Sequence, residues 1–266
     1  MRRFILILFA FFTASLLNAQ NYYQLDSLME VYVRSMQPEG TETKLEEVDY
    51  MISASKDSLT RQHIALKLFD YYKASPLMGE EEIAVHIYDN WFANGRIKMR
   101  SEFDEMDAKL FADFNRSSLI GMDASLITLR KPCGGRVTIP EKGKNSLIWF
   151  YDTACSKCQV EAKVLPGILD KEAKVPFTFY AVYSGQDGNA WKKFRKTFKI
   201  SNRSIKVVHL WDPGIESDYL RLYGVISTPK MYYVEPRGTI MGRRLEVESL
   251  PQIFDLMEEI DKLYRK

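Results

Sequence analysis

Cysteine and histidine are scarce: three of each in 266 residues. So few cysteines exclude a disulfide-stapled scaffold. Net charge is also small, +2 in all, and removal of Arg2 and Arg3 would leave about zero. That balance gives no electrostatic case for nucleic acid or an anionic membrane as a partner. After residue 17 no apolar run is long enough to cross a bilayer, so no stable membrane insertion is expected. Internal repeats, low-complexity tracts and long charge runs are missing too, which excludes a solenoid or a disordered tail.

The first residues, MRRFILILFAFFTASLLNAQ, place two arginines before an apolar run and a small residue, Ala19, before Gln20. This is the layout of a cleaved secretory signal peptide over residues 1–19. No cysteine stands at the cleavage point, so no lipid anchor is expected. An exported chain of about 247 residues would remain, enough for two modest domains.

Helical periodicity runs over residues 21–36, 58–72, 80–92 and 102–115, with apolar residues such as Leu25, Leu28 and Met29, or Phe103, Met106 and Leu110. Past Gly121 the texture turns to strands: 125–129, 136–139, 146–152, 175–184, 206–211, 230–235 and 239–245. Helices are expected at 156–169, 189–198, 216–225 and 250–263. Alternating strands and helices predict an α/β fold with a sheet covered on both faces. The expected organisation is a small all-α domain at 20–118 and an α/β domain at 119–266.

Two of the three cysteines form Cys155-Ser156-Lys157-Cys158 at the junction of the strand SLIWFYD and a helix. A helix N-terminus offers unpaired N–H groups and partial positive charge, which stabilise a thiolate. Cys155 is the expected nucleophile, and Cys158, a turn further in, the group that resolves a mixed disulfide. Closing so short a loop removes little chain entropy, so chemistry explains a bond there better than stability. Lys157 adds a cation, or is a solvated side chain. A zinc half-site would need two more ligands from Cys133, His63, His86 and His209, with no second CxxC and no His-x-His among them. Inert core thiols are the other alternative. His209 reads as a packed, hydrogen-bonded core histidine, and WKKFRKTFK (191–199) as a solvated helix face. Cys133, in KPCGG, reads as a free thiol in a turn, with a mixed disulfide or a dimer bond as alternatives.

Far downstream, YGVISTPKMYYVEPRGTI (223–240) puts Thr228-Pro229 at a strand's start, where proline fits a sheet. Together the CxxC and this block resemble the thioredoxin superfamily, specifically the exported TlpA/ResA-like thiol-disulfide oxidoreductases of Gram-negative periplasms. The resemblance covers about residues 119–266 and rests on Phe150, Thr153, Cys155, Cys158, Glu161, Tyr223-Gly224-Val225, Thr228-Pro229, Val234, Gly238 and Ile240.

The resemblance implies a thioredoxin-like fold and exchange of disulfides with protein thiols, with reduction favoured over oxidation. It implies no organic cofactor and no metal, and a membrane electron carrier that recharges the pair. It gives Thr228 and Pro229, the latter after a cis bond, the role of holding an extended substrate segment beside the pair. Glu161 matches a glutamate thought to move protons; a solvated helix glutamate is the alternative. Ala154 stands where the family has tryptophan, reshaping the substrate-facing surface around Cys155. Asp152 replaces an alanine and would either raise the Cys155 pKa or cap the helix. Trp149 occupies the place of the buried aspartate of cytosolic thioredoxins. The helical N-terminal region resembles an uncharacterised extension of exported thioredoxin-like proteins. A peroxiredoxin-type peroxidase is disfavoured by Asp152, three residues before Cys155, where that family has threonine or serine. A non-catalytic binding or assembly module is the remaining alternative.

Overall fold

A computed structural model describes residues 22–264, so the expected signal peptide lies outside the described residues. The chain divides into two compact units between Ala112 and Asp113, ahead of the boundary expected at 118/119.

The first unit is helical. Its elements are α1 (Tyr23–Ser35), α2 (Thr41–Ala54), α3 (Ser58–Ala74), α4 (Glu81–Ile87) with a π-helical turn at Tyr88–Phe92, and α5 (Glu102–Asn115), which runs across the division. Helix α3 begins where Asp57 accepts the Thr60 N–H at 2.7 Å. Helix α2 is absent from the expected set. Its apolar residues, Leu45, Val48, Met51 and Ile52, do follow helical spacing, but they are few and scattered among charges. Val48, Met51 and Ile52 are buried with Leu25, Met29, Ile64, Leu68 and Phe69 in one core. The helix expected over 80–92 changes form after Ile87, where the Ala93 N–H bonds back to the Tyr88 carbonyl. Inside this unit Lys44 and Glu80 are 7% and 5% exposed and pair at 2.8 Å. Lys44 also donates to the Gln37 carbonyl, and the Ser75 hydroxyl donates to Glu80.

The second unit contains β1 (Ile127–Arg130), β2 (Arg136–Ile139), β3 (Ser146–Tyr151), α6 (Ser156–Glu172), β4 (Phe177–Tyr183), α7 (Gly188–Thr197), β5 (Ile205–Trp211), α8 (Tyr219–Leu222), β6 (Lys230–Val234), β7 (Ile240–Arg243) and α9 (Leu250–Tyr264). The strands form one mixed sheet in the order β2-β1-β5-β4-β3-β6-β7. Strand β3 is parallel to β4 and antiparallel to β6, and β4 is parallel to β5. All six residues of β3 are buried, as its unbroken apolar run predicts for a strand covered on both faces. Leu147, Trp149 and Tyr151 enter a core with Cys158, Leu165, Leu169, Phe254 and Met257. Ile148 and Phe150 enter the opposite core with Tyr180, Tyr219, Tyr223 and Tyr232.

The helix expected over 216–225 shrinks to the single turn α8. The Asp212 carboxylate accepts the N–H groups of Glu216 and Ser217 at 3.1 and 2.8 Å, and Ile215 and Asp218 take positive φ of 52° and 55°. Those bonds and dihedrals hold 212–218 as a loop.

Candidate redox site

The chain leaves β3 at Tyr151 and turns into α6 through Asp152, Thr153 and Ala154. Asp152 organises this turn: its Oδ1 accepts the Ala154 N–H at 2.9 Å and its carbonyl accepts the Cys155 N–H at 3.2 Å. The N-cap of α6 is therefore Cys155 and not Asp152. Beneath the turn, Thr153 Oγ1 lies 3.2 Å from the Tyr183 hydroxyl, and a Cβ on Gly185 would meet both Tyr183 and the Asp152 carboxylate. Spacing arguments passed over Gly185, whose lack of a side chain matters only because β4 runs beside β3.

As N-cap, Cys155 Sγ accepts the Cys158 N–H at 3.2 Å, and as a thiol it donates to the Thr228 carbonyl at 3.2 Å. Cys155 is partly exposed and Cys158 is 2% exposed, both as free thiols. Burial alone raises the Cys155 pKa, but hydrogen bonds from the Cys158 side chain and N–H, the Thr228 side chain and the Lys157 N–H outweigh it and hold the thiol below its usual range. Cys158 goes the other way: burial first, then its bond with Cys155, pushes it up to about 12. Two thiols a turn apart are thus shifted in opposite directions, the partly exposed one down and the buried one up.

Thr228 and Pro229 come to this site from the start of β6, joined by a cis bond. The Thr228 carbonyl is the atom that meets Cys155, so the two sequence markers are brought together. Ala154 is exposed at the tip of the turn beside Cys155. Lys157, also exposed, pairs at 2.7 Å with Glu246, which raises the lysine's pKa chiefly through that hydrogen bond. At this exposure such a pair adds little stability.

Glu161 is 3% exposed, which excludes the solvated-helix reading. Its Oε2 accepts the Trp149 indole N–H at 2.9 Å. Burial holds its carboxyl above the usual carboxylate range; the Trp149 bond and Lys157 oppose that, while Glu246 and Glu248 add to it. This contact is the part of the site that sequence reasoning missed. Trp149 stood out only as a residue that was not an aspartate, although an indole N–H on the strand that delivers the pair was the available signal.

The remaining candidates lie elsewhere. Cys133 is exposed in the turn between β1 and β2. His63 and His86, both in the first unit, meet Asp26 and Asp49. His209, on β5, stands edge-on to Phe194 and Phe198, and burial, then Arg195 and Lys199, lowers its pKa to about 4. Packing was expected there together with a hydrogen bond, yet its buried Nδ1 has no hydrogen-bond partner among the described residues. No helix among the described residues is long and apolar enough to cross a membrane.

No family model matches the chain, and no curated protein matches it. Solved structures do. The chain is similar to a thioredoxin-like protein from Bacteroides caccae at 15% identity and a TM-score of 0.69, over 92% of this chain and 87% of that one. It is also similar to the thioredoxin domain of a thiol-disulfide oxidoreductase from Bacteroides vulgatus, at 24% identity and a TM-score of 0.45, over 52% of this chain and 96% of that one. The first likeness makes the fold thioredoxin-like, with a mixed seven-stranded sheet flanked by helices and further helices before it.

Proposed function

We propose that the protein is a thiol-disulfide oxidoreductase that exchanges disulfides with protein substrates through Cys155 and Cys158, with reduction as its favoured direction. The observation that carries this reading is the asymmetry of the pair. A partly exposed sulfur caps a helix with its pKa held down, and a buried sulfur one turn on has its pKa held up. The thioredoxin-like fold is consistent with it.

In the reducing direction the Cys155 thiolate attacks one sulfur of a substrate disulfide. That S–S bond breaks, and the other substrate sulfur leaves with the electron pair and takes a proton. Cys158 then loses its proton, and its thiolate attacks Cys155. A Cys155–Cys158 disulfide forms, and the first substrate sulfur leaves as a thiolate that is protonated in turn. The substrate gains two electrons and two protons, and the pair loses them. Thr228 and Pro229 hold the extended substrate segment beside Cys155, and Ala154 faces it. Glu161 takes and returns the Cys158 proton.

The TlpA/ResA-like motif set and the signal-like first residues support a Gram-negative periplasm as the proposed location of this activity. A membrane electron carrier would restore the dithiol there, and no metal or organic cofactor enters. The test is reduction of insulin disulfides with dithiothreitol as the electron source. The wild type should accelerate it, and Cys155→Ser should return it to the uncatalysed rate. Equal rates for the two proteins would overturn the reading.

A further inference from the structure

Trp149 sits at the middle of β3 with no exposed surface, on the side of the sheet that holds Cys158. Its ring is fixed by neighbours: it stacks on Tyr151 at 4.5 Å with 10° between the planes, and on Phe198 at 5.9 Å. An indole has one polar hydrogen, and packing sets the direction in which it points. It points at Glu161 Oε2, 2.9 Å away, on a side chain that is itself 3% exposed.

We infer that Trp149 is a positioning residue: by giving its single N–H to Oε2 it holds the Glu161 carboxyl in the buried site and governs proton exchange between Glu161 and Cys158. The consequence for exchange rests on the redox reading of the pair, while the indole–carboxyl coupling itself does not.

Resolution of a mixed disulfide needs the Cys158 proton removed. In the proposed function that proton passes from Cys158 Sγ to the Glu161 carboxylate, leaving a thiolate and a carboxylic acid. The thiolate bonds to Cys155, and the departing substrate sulfur leaves with its electron pair. An indole can only donate, so it favours the ionised carboxylate, the form able to accept the proton. It works against burial, which favours the neutral acid. The other charged groups facing Glu161 are Lys157 on its own helix, which helps the indole, and Glu246 and Glu248 ahead of α9, which oppose it. Lys157 and Glu246 are paired with each other and exposed, so solvent screens both. The indole is the buried donor on this carboxyl.

The test is Trp149→Phe in the full chain carrying Cys133→Ser. The Glu161 titration is followed by carboxyl-carbon NMR, with the resonance assigned by its loss in Glu161→Gln. Loss of a hydrogen bond to a charged group should raise the Glu161 midpoint by about one pH unit. The pH profile of mixed-disulfide resolution should move up with it, and in the Glu161→Gln background Trp149→Phe should leave that profile in place. An unchanged Glu161 midpoint, or the same profile shift without Glu161, would overturn the inference. If circular dichroism shows Trp149→Phe misfolded, benzothienylalanine in place of Trp149 decides, because it keeps the ring shape and lacks the N–H. If no disulfide substrate is exchanged by any version, the proposed function fails, yet the Glu161 midpoint still decides the coupling.

Discussion

Cys158→Ser is expected to leave the protein covalently caught on its substrate, as a mixed disulfide through Cys155 that persists until an external thiol is added. Attack needs only Cys155, whose partly exposed sulfur keeps its donors in this variant: the backbone N–H of residue 158 is unchanged, and a serine hydroxyl replaces the thiol. Release needs the second sulfur, and Cys133, the third cysteine, lies in the β1–β2 turn. The rate of capture carries the sign of the Cys155 shift. Cys155 is held below the usual range of a free thiol, so capture should rise with pH and level off at a lower pH than an unperturbed thiol would. In the mirror variant, Cys155→Ser, the remaining Cys158 thiol is still buried, and burial is the largest cause of its raised pKa, so no capture is expected at neutral pH. Non-reducing electrophoresis with a disulfide-bonded peptide at several pH values checks both. Equal capture by the two variants would contradict the assigned roles.

The largest expected change in stability lies far from the thiols in sequence, at Lys44. Lys44→Ala should destabilise the helical unit by about 3–5 kcal/mol, the usual cost of breaking a buried ion pair from one side. The cost arises because Glu80 would remain as a charge at 5% exposure, with the Ser75 hydroxyl still donating but no cation beside it. Lys44→Met combined with Glu80→Leu removes both charges and should recover most of the loss, because the pair's own net contribution is small once its desolvation is counted. Urea unfolding followed by helical circular dichroism distinguishes these cases. A loss below about 1 kcal/mol for Lys44→Ala would place the pair among ordinary surface bridges.

How much of this was legible in the sequence follows from how local each cause is. Strand β3 could be read because a strand buried on both faces needs an unbroken apolar run, and SLIWFY is one. Helix α6 could be read from the junction that follows, and its N-cap is one of the cysteines that drew attention to it. Helix α2 was illegible because four apolar residues among many charges make a weak stripe, and the helix depends on the core it meets. The stretch 216–225 misled because its apolar spacing is helical, while Asp212, several residues upstream, takes the N–H groups that would have opened the helix. At the site, side chains adjacent in the chain were found, and of those adjacent only in space Thr228 and Pro229 were found through their motif. Glu161 showed its helix face but not its partner, because the Trp149 indole reaches it from the neighbouring strand. Lys157 showed its charge but not its partner Glu246, which lies close only once α6 and the segment before α9 pack together.

If Cys155 and Cys158 form one reversible couple, a redox titration of the Cys133→Ser protein should reveal it. The protein is equilibrated in thiol–disulfide buffers of stepped potential, quenched with an alkylating mass tag, and counted for free thiols. Both thiols should disappear together in a single two-electron transition, about 30 mV per tenfold change in ratio, with a midpoint between roughly −120 and −270 mV. Thiols that stay free at every potential, or that are lost one at a time as mixed disulfides with the buffer, would contradict it.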